Sequence, residues 1–370
     1  MEYREYKLKE IMYNFKYGTM PKKEKIKSFE EGKYPIYTGY LISGYYDECN
    51  IENETLIVVA RGVGGTGDVK LTTKKCFLTN LSIAMFNDEK IVSNKYLYYY
   101  FKIHNLRYLD SGSAQSQITI NDLKNVKVPV PKRDIQDKIV KILSQLDIKI
   151  KLNNQINDNL YNICNVIFHN YMDKYSEQIE YTKIIDIADR VVTGKTPSTK
   201  NEELWNGYIP FITIPDMHNQ VFTIDTERTI SKVGAKSLIP KNSISVSCIA
   251  TVGLVSISTK ESQTNQQINS IVLKNDYDLY YLFEFLSEQE SYMKNIAGGS
   301  TTYNINKTTF ENIEVPYLPQ NIVQEFHNTV CKLFDKIKLN QFENKKLEQL
   351  RDTLLPKLMN GEIDLDKIKI

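Results

Sequence analysis

The sequence predicts an α+β protein in which two mixed α/β globular domains alternate with two long helices that pair as an antiparallel coiled coil. Three observations support this fold class. The chain of 370 residues is long enough for two domains. Its two halves repeat the same motifs in the same order. After each of two Val-Pro segments, the hydrophobic period changes from two to about 3.5. The repeat implies an internal pseudo-twofold relationship between the halves.

Four short motifs return in collinear order. The spacing between the copies grows from 176 residues (Gly18 to Gly194) to 187 residues (Lys149 to Lys336). A single match could be chance in a chain this rich in Lys, Ile and Asn, but four ordered matches indicate duplication. The second copy is therefore longer inside its globular part. The paired motifs are Gly18-Thr19-Met20-Pro21 with Gly194-Lys195-Thr196-Pro197, Thr79-Asn80-Leu81-Ser82-Ile83 with Thr264-Asn265-Gln266-Gln267-Ile268, Asn125-Val126-Lys127-Val128-Pro129 with Asn312-Ile313-Glu314-Val315-Pro316, and Lys149-Ile150-Lys151-Leu152-Asn153 with Lys336-Ile337-Lys338-Leu339-Asn340.

The repeat divides the chain into four segments. Each globular part contains short apolar runs typical of strands, broken by Gly, Pro, Asn and Ser. Examples of predicted strands are 56–60, 82–86 and 242–247, and a helix is predicted near 95–106 and again near 279–295. The predicted segments are a globular domain over 1–131, a central helix over 132–175, a second globular domain over 176–319 and a terminal helix with tail over 320–370.

The helical segments carry apolar residues at steps of three and four, which is typical of coiled coils. Polar Asn153 and Asn340 fall within the two stripes and are predicted to fix the helix register. Pairing the two helices with each other in antiparallel order is the most economical arrangement, and it would place the globular parts at opposite ends. The alternative is that each helix packs on its own domain. The predicted seam residues are Ile139, Leu143, Leu146, Ile150, Asn153, Ile156, Leu160, Ile163 and Ile167, and Phe326, Val330, Leu333, Ile337, Asn340, Asn344, Leu347, Leu350 and Leu354.

Composition excludes several classes of protein. The charged residues within the first fifteen positions exclude the apolar core of a signal peptide, and no run of about 18 apolar residues predicts a membrane helix, so a cytoplasmic protein without a membrane partner is expected. The five cysteines and four histidines lie too far apart for metal-ligand spacing, so no metal site is expected and the thiols are interpreted as buried and reduced. A net charge of +2 and a pI of about 8.0 permit nucleic-acid binding without establishing it.

The whole chain resembles the specificity subunits of type I restriction-modification systems. The terminal helix and its exit, residues 347–358 followed by Gly361-Glu362-Ile363, resemble the terminal signature of that family. The Gly-x-x-Pro segments at Gly18 and Gly194 are also similar, as are the Val-Pro strands that lead into Gln136 and Gln324. The order of segments is that of the family: target-recognition domain, central spacer helix, second target-recognition domain, second helix.

The resemblance implies a subunit that directs adenine methylation or cleavage by other subunits and catalyses nothing itself. Each recognition domain would read one half of a bipartite target in double-stranded DNA. The implied partners are two modification subunits and ATP-dependent restriction subunits. S-adenosylmethionine, ATP and Mg are expected to be bound by those partners rather than by this chain. The alternative is a relative with methyltransferase or nuclease activity of its own, but the sequence shows no motif for either chemistry.

Two motifs invite a catalytic interpretation. Residues 62–67 fit Gly-x-Gly-x-x-Gly, but a dinucleotide site needs a helix directly after the glycines. The following Asp68-Val69-Lys70 is β-like, so a loop between strands is predicted. Val315-Pro316-Tyr317 resembles part of the adenine methyltransferase motif, but Val315 has no acceptor for an amino group, and a strand end is predicted.

DNA contacts are predicted on exposed loops that carry hydrogen-bonding side chains, because bases are read by such groups and phosphates are bound by Lys, Arg, hydroxyls and backbone amides. Two hydroxyl-rich loops at equivalent positions, 111–117 and 298–303, suit phosphate contact, although each could equally be a solvated turn. Trp205 is interpreted as a core residue. The predicted DNA-binding residues are Tyr40, Tyr45, Tyr46, Arg61, Ser111, Ser113, Gln115 and Gln117 in the first domain, and Lys195, Ser198, Thr199, Lys200, Asp216, His218, Gln263, Gln266, Ser300 and Thr301 in the second.

Overall fold

The computed structural model describes residues 2–28, 31–39, 41–62, 65–72, 75–110, 116–218, 220–298 and 303–365. The chain divides into two compact units. The first comprises Met1–Ile148 together with Glu348–Ile370, and the second is the continuous segment Lys149–Leu347. Both boundaries between the units fall inside long helices. Each long helix therefore contributes one part of its length to each unit.

The first unit contains two small sheets, a two-stranded ribbon and three short helices, in addition to the ends of the long helices. One sheet has the strand order β2-β8-β5-β6 and the other has the order β4-β3-β7, while β1 pairs with β9. The side chains of Ser93 and Thr119 accept hydrogen bonds from the first turns of α2 and α3 and so fix where these helices begin. The elements are β1 Tyr3–Lys7, α1 Leu8–Ile11, β2 Met12–Tyr17, β3 Tyr34–Thr38, β4 Leu41–Tyr46, β5 Leu56–Val59, β6 Val69–Leu71, β7 Phe77–Leu78, β8 Ser82–Asn87, α2 Asn94–Ile103, α3 Ile120–Lys124, β9 Lys127–Pro131 and α4 Arg133–Lys174.

The second unit repeats this plan with additions. Its sheets have the orders β11-β19-β16-β17-β13 and β14-β12-β18-β15, and β10 pairs with β20. The elements are β10 Glu180–Lys183, α5 Ile184–Ile187, β11 Ala188–Thr193, β12 Trp205–Ile212, α6 Ile214–Met217, β13 Phe222–Thr223, β14 Arg228–Ile230, β15 Leu238–Ile239, β16 Ile244–Ser247, β17 Val255–Ser258, β18 Ser262–Thr264, β19 Ile268–Leu273, α7 Asp278–Ser287, α8 Glu290–Ile296, α9 Lys307–Glu311, β20 Glu314–Tyr317 and α10 Gln320–Met359.

The repeat inferred from the sequence is confirmed by the fold. The predicted strands appear as β5, β8 and β16, and the predicted helix of the first copy appears as α2. The single helix predicted near 279–295 is wrong in one respect, because α7 and α8 are separate. Backbone N–H groups of Glu288 and Gln289 bond to the carbonyls of Phe285 and Leu286 and close the first helix in a tight turn.

The two long helices, α4 and α10, run antiparallel. Within the second unit, Asn153 contacts Asn344, and Tyr171 contacts Glu325. Thus, residue numbers rise along one helix as they fall along the other. The antiparallel coiled coil is therefore confirmed. Each helix also packs on the adjoining domain, as the alternative reading proposed, because Ile139 of α4 lies in the first core.

The buried seam differs in detail from the predicted one. Asn153 and Asn340 are each 1% exposed and lie in the seam as predicted. Ile156, Ile163 and Leu350 are 42, 48 and 47% exposed, so their assignment to the seam is wrong. A helix turns once per 3.6 residues, so a strict 3.5-residue stripe drifts around its surface over several turns.

Candidate nucleic-acid interface

The first repeated motif sits against the second in the first domain. The Gly18 N–H donates to the Ser82 carbonyl at 3.1 Å, and the Thr19 N–H donates to the Leu78 carbonyl at 2.9 Å. A Cβ atom at position 18 would lie 2.3 Å from the carbonyl oxygens of Leu78 and Thr79. Only glycine permits this approach, because such a contact is far inside van der Waals distance.

The second domain repeats the arrangement. The Gly194 N–H donates to the Ile268 carbonyl at 3.1 Å, and the Lys195 N–H donates to the Thr264 carbonyl at 2.9 Å. A Cβ atom on Gly194 would lie 2.1 Å from the Asn265 carbonyl oxygen. Two motifs that are far apart in sequence are therefore in contact in both domains.

Two further loops join the same place in the first domain. The Ala60 N–H donates to the Leu81 carbonyl at 2.8 Å, and the Ile118 N–H donates to the Ala60 carbonyl at 3.0 Å. Arg61 and Gln117 form a β-bridge beside them. We call residues 18–22, 60–62, 79–82 and 116–118 the first loop cluster.

Equivalent bonds join the loops of the second domain. The Cys248 N–H donates to the Gln267 carbonyl at 2.8 Å, and the Ile305 N–H donates to the Cys248 carbonyl at 2.9 Å. Ala250 in this region has a φ of 63°, a left-handed conformation that costs a non-glycine residue about 1–2 kcal/mol. Strained backbone of this kind concentrates at functional sites. We call residues 194–200, 248–253, 264–267 and 303–305 the second loop cluster.

Exposed polar side chains line the second loop cluster, as DNA contact requires. Gln266 is exposed, and its amide oxygen accepts a hydrogen bond from the Thr196 hydroxyl at 2.5 Å, which orients the amide group. Tyr303 was not among the predicted contacts, but it is 46% exposed and its carbonyl accepts from the Ala250 N–H. Its position at the end of the hydroxyl-rich loop was the available signal. Four further predicted residues are exposed here: Lys195, Ser198, Thr199 and Lys200.

Three predicted contacts have structural positions instead. Gln263 is fully buried, and its amide bonds to the Lys195 carbonyl and to the N–H groups of Lys236 and Ser237. Its assignment as a base reader is therefore corrected to a role in holding three backbone segments together.

Asp216 also holds backbone. One of its oxygens accepts from the N–H and hydroxyl of Thr213, and the other accepts from the Glu227 N–H. Tyr46 is 4% exposed, with its ring centroid 4.7 Å from that of Phe77. Polar residues at strand ends look alike in sequence whether they face solvent or backbone.

The remaining predicted residues are distributed unevenly. Arg61 is exposed in the first loop cluster, Gln117 and Tyr45 are half-buried, and His218 is exposed at the end of α6 outside the second cluster. The other six predicted residues lie outside the described part of the chain: Tyr40, Ser111, Ser113, Gln115, Ser300 and Thr301.

The two motifs that invited a catalytic interpretation are structural. The glycine-rich segment connects β5 to the antiparallel β6, and Gly67 has a φ of 91°, so the predicted loop between strands is confirmed. Val315-Pro316-Tyr317 lies in β20, where the Pro316 carbonyl accepts from the Tyr281 hydroxyl at 2.6 Å. The predicted strand is confirmed there too.

Cysteine chemistry is suppressed by burial. Desolvation raises the pKa of Cys76 to about 11, of Cys164 to about 12 and of Cys248 to about 11, so these thiols stay protonated at neutral pH. The described cysteines are all free, although Cys49 and Cys331 are only half-buried. Among the residues that the structure describes, no three His, Cys, Asp or Glu side chains are grouped to hold a metal ion. Within the same residues, no helix is both long and apolar enough to cross a membrane.

Two copies of one mixed α/β domain, each presenting the same cluster of loops and each built around paired long helices, define a class of proteins with duplicated recognition domains. The family model described as the type I restriction modification DNA specificity domain matches this chain twice, over residues 1–162 and 176–350. The chain belongs to this family.

Relatives and solved structures agree with that assignment. The chain is 33% identical to the type I restriction enzyme HindI specificity subunit of Haemophilus influenzae, in a match that covers 74% of this chain and 76% of that protein. It is 34% identical to the MjaIX specificity subunit of Methanocaldococcus jannaschii over 53% of this chain and 46% of that one. The fold is similar to the crystal structure of the type I restriction-modification S subunit from M. genitalium, with a TM-score of 0.65, 20% identity and coverage of 97% and 96% of the two chains.

Proposed function

We propose that this chain is the DNA sequence-specificity subunit of a type I restriction-modification complex, in which each recognition domain reads one half of a bipartite target. The observation that carries the proposal is that the family match falls once on each copy of the repeat, and each copy presents the same loop cluster. Two readers of one design in a single chain are suited to a target with two separate halves.

Each loop cluster combines the groups that DNA recognition needs. In the second cluster, Lys195 and Lys200 are cations for phosphates, and the oriented amide of Gln266 is a donor and acceptor pair for a base edge. In the first cluster, Arg61 supplies an exposed guanidinium, which can make two hydrogen bonds to guanine. The side chains of the two clusters differ, so the two half-sites are expected to differ.

In this proposal, the chain works in the cytoplasm, binds double-stranded DNA and catalyses nothing. Methyl transfer and cleavage belong to two modification subunits and to restriction subunits, which bind S-adenosylmethionine, ATP and Mg. An apolar stripe on α4 supports contact with protein partners: Leu152, Ile156, Ile163 and Val166 lie on one helix face and are 42–58% exposed. Contiguous exposed apolar surface of this kind marks protein interaction sites.

Exchange of one recognition domain tests the proposal. The second domain is replaced by that of a relative, and methylated adenines are mapped across the host genome by single-molecule sequencing. We expect one half of the methylated sequence to change while the other half stays the same. If both halves change together, the two-reader function is wrong.

A second experiment separates this function from catalysis by the chain itself. The chain is purified alone and with co-expressed modification subunits, and transfer of labelled methyl groups to DNA is measured. We expect transfer only from the assembled complex. Transfer by the isolated chain, surviving mutation of any contaminating enzyme, would favour the alternative of a methyltransferase relative.

A further inference from the structure

The two domains differ at one edge of the larger sheet. In the first domain the sheet ends at β6, whereas in the second it continues past the equivalent strand, β17, to a fifth strand, β13. The equivalence of β6 and β17 follows from the repeat, in which Gly67-Asp68-Val69 corresponds to Gly253-Leu254-Val255. The second domain therefore covers an edge that the first domain leaves open.

The additional strand comes from a single insertion. β3 and β4 of the first domain are joined by residues 39–40, whereas the equivalent β12 and β14 are joined by residues 213–227. The insertion contains α6 and β13 and accounts for most of the increase in repeat spacing from 176 to 187 residues. The extra length of the second copy is thus used largely to cover the sheet edge.

β13 shows how the edge is filled. It runs parallel to β17, and the Ile257 N–H donates to the Val221 carbonyl at 2.9 Å. The Thr259 hydroxyl donates to the Thr223 carbonyl at 2.8 Å. The Phe222 side chain is 1% exposed, so this strand also contributes to the core.

The backbone of β6 has the same capacity. The bonds from Val59 N–H to Asp68 carbonyl and from Thr72 N–H to Thr55 carbonyl set the alternation of the ladder, so Lys70 pairs with β5. Val69 and Leu71 therefore direct their N–H and carbonyl groups to the outer edge. Among the residues that the structure describes, no strand pairs with that edge. Exposed edges of this kind recruit additional strands.

A groove of about 650 Å³ lies beside this edge. Phe101 is buried in its floor, and Tyr98 is half-buried with the Lys102 ammonium 5.0 Å from the centre of its ring. Lys70 and Arg107 also line the groove, and its one acidic residue, Asp68, is paired with Arg107 at 2.9 Å. The groove therefore combines an apolar floor with a positive rim.

We propose that β6 and this groove bind an extended acidic segment of a partner subunit, which adds to the sheet as β13 does in the second domain. The inference rests on the proposed function, because it requires a partner subunit. Strand addition uses main-chain bonds for affinity and flanking pockets for selectivity. DNA fits less well because phosphate oxygens only accept hydrogen bonds, and the outward carbonyls of Val69 and Leu71 would stay unpaired.

Hydrogen exchange on the full-length chain tests this proposal. Amide exchange is measured for the free chain, for the chain with DNA alone and for the complex with modification and restriction subunits. We expect the β6 amides to slow by about tenfold or more in the complex, as strand pairing protects amides, and to be unchanged with DNA alone. The β17 amides, already covered by β13, should exchange slowly in every state.

Variants link any protection to the groove. Lys70→Glu with Lys102→Glu reverses two charges of the rim and should abolish the protection of β6, whereas Lys124→Glu, on exposed α3 away from the groove, should leave it intact. Unprotected β6 in an assembled complex, equal protection by DNA alone, or protection unaffected by the double variant would each overturn the proposal. A complex that methylates two unchanged half-sites without protecting β6 refutes this inference alone. A chain that assembles with no subunit refutes the proposed function as well.

Discussion

The junctions between the helix pair and the two domains occupy equivalent positions but have different chemistry. In the first unit, Asp147 of α4 accepts a hydrogen bond from the Tyr99 hydroxyl at 2.6 Å and forms an ion pair with Arg351 of α10 at 2.9 Å. These three side chains come from three helices. The first junction is therefore held by a polar network whose members are all partnered.

In the second unit, the repeat places Phe334, Cys164 and Glu284 at the positions of Asp147, Arg351 and Tyr99. Phe334 stacks on Tyr280 with ring centroids 4.1 Å apart. Glu284 is fully buried, and one of its oxygens has no hydrogen-bond partner. Burial raises the pKa of Glu284 to about 8, because the charged form loses its water and Asn165 only partly compensates.

Duplication has preserved the main-chain contacts and released the side chains. The Tyr96 hydroxyl donates to the Pro129 carbonyl at 3.0 Å, and its counterpart Tyr281 donates to the Pro316 carbonyl at 2.6 Å. A backbone acceptor is present whatever the sequence, so this contact survives divergence. Contacts between two side chains survive only if both change together, and at the junction they have been replaced by a different solution.

The largest expected effect is a pH dependence confined to the second domain. The pKa of Glu284 is raised in the folded state from 4.5 to about 8, so its contribution to stability is complete below about pH 4.5 and is lost as the pH rises to about 8. Glu284→Gln should match the wild type near pH 4.5 and exceed it by up to about 4 kcal/mol at pH 8. Trp205 is the only tryptophan and lies in the second domain, so urea unfolding followed by its fluorescence reports on this domain.

The exposed Glu290→Gln provides the control for that measurement and should follow the wild type at every pH. If Glu284→Gln and the wild type gave parallel stability curves between pH 5 and 8.5, Glu284 would be ionised in the folded protein, and the contrast between the junctions would be wrong.

The first junction should fail through loss of a partner rather than through pH. Asp147→Ala leaves Arg351, whose side chain is 18% exposed, without its main counter-charge and should destabilise the first unit by about 3 kcal/mol. Circular dichroism should then show an earlier transition, while Trp205 fluorescence keeps its midpoint. Glu5→Ala, which breaks the exposed ion pair with Lys127, should leave both signals unchanged. A shift of both signals by the same amount would mean that the two units unfold together.

The asparagines of the helix pair should behave alike in both copies. Asn153 donates to Asn344 at 2.9 Å, and Asn340 donates to Asn157 at 2.8 Å, which is the equivalent contact in the repeat. Asn153→Leu and Asn340→Leu should each cost about 2 kcal/mol, because each leaves a buried amide unpaired. Asn153→Leu combined with Asn344→Leu should recover part of that loss in a double-mutant cycle. Purely additive costs would show that the amides act independently.

The smallest effect should come from the preserved tyrosines. Tyr96→Phe and Tyr281→Phe each remove one hydrogen bond to a backbone carbonyl and should cost about 1 kcal/mol in their own unit. The first is followed by circular dichroism and the second by Trp205 fluorescence. A difference well above 1 kcal/mol between the two would show that this pair has also diverged.

The sequence was sufficient to predict the duplication, the main strands and the antiparallel helices, because these depend on periodicity and repeated order. It was insufficient to separate exposed from buried polar residues at strand ends. Gln266 and Gln263 are three residues apart, yet one is exposed and the other is fully buried, because the backbone of residues 195 and 236–237 encloses Gln263. That environment is formed by segments far along the chain. Likewise, the exposed Ile156 fits an ideal heptad, but the helix that forms follows its own period.

The first unit is discontinuous in sequence, and this sets an order of events during synthesis. Its core contains Leu355, Leu358 and Leu365 beside residues of the amino-terminal half, and the Tyr3 hydroxyl donates to the Met359 carbonyl at 2.9 Å. A ribosome adds about 5–20 residues per second, so about 10–40 s separate the last residue of the first segment from the return of the chain at residue 348. The second unit is continuous and is available to close in that interval. The domain encoded first is therefore completed last, with part of its apolar surface waiting for the final helix.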